Sequence, residues 1–99
     1  GNLVPAALTP AVESVCATAI SGAGRMWTLT FDVRLAAGGD WAAFDAPERM
    51  RLEYAPAPSG AWAVLVPAAV DATSAGVVKL TVVLPEETPC GFFRVIVGE

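Results

Sequence analysis

Met26-Trp27-Thr28-Leu29-Thr30-Phe31-Asp32-Val33-Arg34-Leu35 alternates apolar and polar side chains at nearly every step. Successive side chains of a strand point to opposite faces, so Trp27, Leu29, Phe31, Val33 and Leu35 share a dry face while Thr28, Thr30, Asp32 and Arg34 share a wet one. The same two-residue period recurs in Arg49–Tyr54, with Met50, Leu52 and Tyr54 inward and Arg49, Arg51 and Glu53 outward. It recurs again in Val77–Leu84, where Val78, Leu80, Val82 and Leu84 face in and Lys79 and Thr81 face out. The last nine residues, Gly91-Phe92-Phe93-Arg94-Val95-Ile96-Val97-Gly98-Glu99, form an aromatic and β-branched run that must be covered by a sheet. Phe93, Val95 and Val97 share one of its faces, and Phe92, Arg94 and Ile96 the other.

Weaker strands fill the intervals. Ala61–Val66 carries Trp62, Val64 and Val66 on one side, with Trp62 expected in the core, but Ala63 and Leu65 make its other side apolar too. Ser14–Ile20 suits a strand, though its small residues do not reveal an inward face. Leu3–Leu8 is interrupted by Pro5, so it reads as an edge segment. Turn signals at Ser21–Gly24, Ala55–Gly60, Ala72–Gly76 and Pro85–Pro89 punctuate the runs at intervals suited to a sandwich or barrel. Ala55–Gly60 joins what should be a hairpin. Ala36–Glu48 is the longest irregular piece, with at most one helical turn near Trp41–Phe44. The expected fold is all-β: a two-sheet antiparallel β-sandwich of about seven strands, one domain spanning residues 1–99.

Composition agrees. Of the 99 residues 55% are hydrophobic and only 16% charged. No run approaches the roughly 18 consecutive apolar residues of a membrane span, so membrane insertion is not expected. The net charge of −4 leaves no basic cluster for a phosphate backbone, which argues against a nucleic-acid partner. Gly1 and Asn2 read like the start of a processed chain, so the lack of a leader carries no information. Cys16 and Cys90 allow one disulfide closing most of the chain; the alternative is two buried thiols acting as small hydrophobes.

Chemistry has little to stand on. The chain has no histidine, no CxxC pair and no GxSxG turn, and a Ser74–Lys79 pair competes with Lys79 as an ordinary outward strand residue. No enzyme activity and no cofactor are expected. Asp40, Asp45 and Glu48 share the long loop and have the hard oxygens that suit calcium, yet their spacing matches no ligand loop, so loop polarity is the expected explanation. Trp41 and Phe44 admit two readings. Exposed, they would make a stacking platform for a sugar, and the chain would be a carbohydrate-binding module. Folded back, they plug one end of the sandwich, where each ring buries roughly 150–250 Å². Arg94, between Phe92 and Ile96, is expected to lay its stem on apolar surface while its guanidinium meets a carboxylate or an aromatic ring.

Leu52-Glu53-Tyr54, the Pro58-Ser59-Gly60 connection, Trp62, and then Gly91-Phe92-Phe93-Arg94 together resemble a module of exported bacterial proteins. In these modules a leucine–glutamate–tyrosine (or serine) hairpin with a following tryptophan precedes a closing glycine–phenylalanine–aromatic–arginine strand. The resemblance covers roughly residues 26–99; Cys16 and Cys90 are not part of the pattern. It implies an immunoglobulin- or fibronectin type III-like sandwich, secreted or on the cell surface (periplasmic or extracellular). The implied role is structural or interactive, with other domains or proteins of an exported assembly as partners and no site residues to carry over. The apolar outer faces of Ala61–Val66 and of the last strand also suggest a homo-oligomer.

Overall fold

The computed structural model describes residues 10–57, 59–85 and 91–98, and among them seven strands form two antiparallel sheets. In chain order these are β1 (Val12–Ala23), β2 (Met26–Leu35), β3 (Met50–Ala55), β4 (Ala63–Leu65), β5 (Ala69–Asp71), β6 (Val77–Val83) and β7 (Phe92–Val97). One sheet has the order β1-β2-β6-β5 and the other β4-β3-β7. The two-sheet antiparallel sandwich expected from the periodicity is thus the fold, and its strand count also agrees. Membership differs. The short β5 was not expected from the periodicity, and the expected edge segment Leu3–Leu8 lies outside the described residues.

Burial follows the alternation of the two strongest strands. Leu29, Phe31 and Val33 of β2 and Val78, Leu80 and Val82 of β6 are all buried, and β2 and β6 pair in the centre of their sheet. Met50, Leu52 and Tyr54 of β3 face them from the other layer, with Phe93, Val95 and Val97 half-buried beside them on β7. The β1–β2 hairpin turns at Gly24-Arg25, where Gly24 has φ 61°, the left-handed value a two-residue hairpin loop requires at its first central position. Arg25 then clamps this turn to the end of β6: its Nε donates to the Leu84 carbonyl at 2.7 Å, while the Leu84 N–H donates to the Arg25 carbonyl at 2.8 Å.

Three expectations are corrected. Arg49 is not a solvated strand residue. It ends a helical turn, α1 (Ala46–Arg49), and is buried, donating through Nε to the Gly98 carbonyl at 2.9 Å and through Nη1 to the Pro10 carbonyl. Its guanidinium lies 5.3 Å from the centre of the Phe44 ring. Glu53 does point to the outer face, but it is buried there beneath arginines. The third correction concerns β4, whose inward residue is Leu65, opposite Leu52; Val64 and Val66 are 55% and 85% exposed, and Trp62 is half-buried on the outer face.

α1 has a physical cause that the sequence displays. The Asp45 carboxylate accepts from the Glu48 N–H at 3.2 Å, and a proline stands in the first turn, where its missing N–H costs nothing. Asp45→Ala should lower stability by about 1 kcal/mol in urea denaturation, the usual worth of an N-cap. An unchanged midpoint would show that the turn is held by Arg49 alone. Among the described residues, no helix is long and apolar enough to cross a membrane.

Candidate functional site

Asp40, Trp41, Phe44 and Asp45 of the long loop are engaged in holding the fold. Phe44 is 6% exposed and packs against Trp41 with ring centres 5.2 Å apart. The Trp41 indole N–H donates to the Ala72 carbonyl at 2.8 Å, tying the long loop to the β5–β6 connection. Phe44 therefore has no exposed ring face on which a sugar could stack; the pair closes that end of the sandwich. Asp40 accepts from the Ala42 N–H at 3.0 Å and Asp45 from Glu48, so both carboxylates cap turns. Among the described residues, no three acidic or thiol side chains converge as metal ligands. Asp71 likewise serves its own turn: bonds from the Thr73 N–H and hydroxyl, 3.0 and 2.7 Å long, hold its carboxyl below the usual carboxylate range. Cys16 is exposed on β1, so it is not a buried small hydrophobe; its expected bridge involves Cys90, which lies outside the described residues.

What stands out is one side of the sandwich. The sheet edges formed by β4 and β5 are three residues each, and such short edges offer little backbone for an unwanted strand. They are joined directly by residues 66–68, so they share a side. The opposite side is bounded by long edges: β1, with 12 residues, and β7, with six. Among the described residues, no strand pairs with the outer edge of either.

Between β1 and β7 runs an open groove of about 440 Å³. Ala17 and Ile20 of β1, Leu29 and Phe31 of β2, and Phe92 and Arg94 of β7 line it. Its floor is therefore the core itself. Ile20 is the telling residue. It pairs with buried Leu29 and shares that inward face, yet it is 53% exposed. Phe92, across the groove, is 41% exposed. The sequence hid Ile20 because β1 changes register between Ala17 and Ala19. Ala17 opposes Phe31 before that bulge and Ile20 opposes Leu29 after it, so the inward parity switches within the strand.

Arg94 forms one wall and is held from two sides. Its Nε donates to Glu53 Oε1 at 2.7 Å, and its guanidinium carbon lies 4.2 Å from the centre of the Trp62 ring. Arg51 Nε approaches the second Glu53 oxygen at 3.2 Å. Both contacts expected of Arg94 are thus made at once. Such a clamped arginine gives the rim a fixed shape, worth about 0.5–1 kcal/mol through its ring contact. Gly91, just ahead of β7, lies so close to the Tyr54 ring that a Cβ there would overlap it.

These contacts also explain the short motifs singled out in the sequence. Glu53 pairs with Arg94, Tyr54 with Phe93 and Ala55 with Phe92, so the hairpin and closing-strand signatures are one cross-strand cluster on adjacent strands. No protein-family model, curated protein or solved structure matches the chain.

Proposed function

We propose that this chain is a non-catalytic structural or protein-interaction module of an exported or cell-surface bacterial protein, and that it docks by accepting an extended strand along β7. The observation that carries this reading is the half-exposed inward residue Ile20 beside an edge of β7 that no strand pairs with among the described residues. In strand addition the main-chain hydrogen bonds supply affinity, and alternate side chains entering a groove supply selectivity. The groove between β1 and β7 offers both features.

Strand order lends further support. A β1-β2-β6-β5 sheet facing β4-β3-β7 corresponds to the A-B-E-D and C′-C-F strands of immunoglobulin-type sandwiches. In that correspondence the strand flanking F has no counterpart among the described residues, and its place is the edge of β7. The cross-strand cluster of Glu53, Arg94 and Trp62 supports the resemblance to exported bacterial modules, from which the location is taken.

A fluorescein-labelled nine-residue peptide of alternating valine and threonine, flanked by lysines for solubility, tests the docking mode. Its anisotropy should rise saturably on titration with the protein, and Ile20→Asp with Phe92→Asp should abolish the rise. A peptide that fails to bind at millimolar protein, or binds the double variant equally well, would contradict this reading.

A further inference from the structure

We propose that Arg51 and Arg94, held in place by Glu53, form a carboxylate-binding site on the outer face of the β4-β3-β7 sheet, whose ligand is an acidic side chain with an apolar neighbour on a protein partner. The site uses the face of this sheet, where strand docking uses its edge, and does not rest on that reading. Parity and pairing bring the three side chains together. Arg51 and Glu53 lie two residues apart on β3, and Glu53 pairs with Arg94 on one side and Val64 on the other. Glu53 is buried although it stands on the outer face, and its two oxygens are divided between the arginines. Oε1 accepts from Arg94 Nε at 2.7 Å, while Oε2 lies 3.2 Å from Arg51 Nε.

Two guanidiniums thus meet one carboxylate, which leaves one positive charge uncompensated. Among the described residues, neither arginine pairs with any other carboxylate, and neither donates a hydrogen bond through Nη. Both side chains are about half exposed. Because each faces Glu53 through Nε, its end-on fork of Nη1 and Nη2 remains, the geometry that grips a carboxylate through two parallel bonds. Glu53 and the Trp62 ring, 4.2 Å from Arg94 Cζ, fix the Arg94 fork before a ligand arrives, so less side-chain freedom is lost on binding. The apolar neighbour has a place as well. Arg51 borders a cleft of about 230 Å³ lined also by Pro47, Glu48, Met50, Val64 and Val66. Its apolar walls suit one aliphatic side chain beside the acid, and Glu48 disfavours a second acid there.

The test titrates the protein with an end-blocked leucine–glutamate–leucine peptide and with its glutamine counterpart, reading the side-chain Nε–H resonances of Arg51 and Arg94. Both resonances should shift saturably with the glutamate peptide, and the glutamine peptide should bind about tenfold more weakly or worse. Arg51→Gln leaves Glu53 paired with Arg94, and near-ultraviolet circular dichroism checks that the variant folds. It should weaken binding of the glutamate peptide by a similar factor. Ile20→Asp, in the groove, should leave this affinity unchanged while weakening the valine–threonine peptide, so failure of one site is distinguishable from failure of the other. Equal affinity for the two leucine peptides, or shifts at Arg25 and Arg34 as large as those at Arg51 and Arg94, would overturn the site. Acetate binding as tightly as the glutamate peptide would overturn the protein partner and assign the site to small carboxylates.

Discussion

Leu52→Ala should lower the unfolding free energy by about 3–5 kcal/mol, the range for deleting a fully buried leucine from a core that cannot collapse around the space. Leu52 has no exposed surface, and it lies between Leu65 of β4 and Val95 of β7 while facing the β2–β6 layer. Each of its neighbours belongs to a paired strand, so none can move in without breaking a ladder. In a domain of this length, that loss should depress the melting temperature by roughly 12 °C or more. Val64→Ala, one residue from Leu65 but on the outer face and 55% exposed, should change stability by no more than about 0.5 kcal/mol. Calorimetry of the two variants checks the assignment of faces in β4. Equal costs, or a larger cost at Val64, would reverse it.

Arg49→Ala should cost about 2–4 kcal/mol, although the residue belongs to no ion pair among the described residues. Its guanidinium bonds two main-chain carbonyls, of Pro10 and Gly98, and lies against the Phe44 ring. Charge-assisted bonds of this kind are worth about 1.5–3 kcal/mol each, and truncation takes this donor from the Pro10 carbonyl in a buried place and from the Gly98 carbonyl in a part-buried one. Arg49→Lys should recover only part of the loss, because a single ammonium cannot reproduce the planar fork. Urea denaturation of the wild type and both variants gives the comparison. Were Arg49 the solvated strand residue that its alternation with Met50 suggests, both substitutions would fall within about 0.5 kcal/mol of the wild type.

That contrast shows where the sequence was legible. β2 and β6 each bury one face and wet the other over at least seven residues, long enough for a period of two to mark their core sides. β5 has three residues, too few to show any period, and it is held by pairing with β6. β4 is apolar on both sides, so parity alone could not choose; the opposing Leu52 chooses Leu65. Alternation extends one residue before the start of β3 and so suggests an outward strand position for Arg49, although Asp45, Pro47 and Glu48 carry the marks of a helical first turn. The groove was the least visible feature. It depends on a bulge that moves Ile20 to the inward face and on the absence of a pairing partner along β7 among the described residues. Neither property is a pattern in one stretch of chain.

Under the proposed docking, the charged cluster beside the groove would set the selectivity of that surface. Arg94 is fixed by Glu53 and Trp62, so a strand docked as proposed would meet a shaped, positively charged rim at one point and apolar surface along the rest. A strand with a small or acidic residue at the Arg94 level should be favoured over one with a lysine there, since like charges placed opposite each other across strands are destabilising.

Residue-resolved amide exchange with the valine–threonine peptide bound to the protein tests strand docking most directly. Slowed exchange at alternate positions of β7, with β4 and β5 unchanged, is the expected result. Binding that leaves β7 exchange untouched, or that slows it along β4 or β5 instead, would contradict docking at this edge.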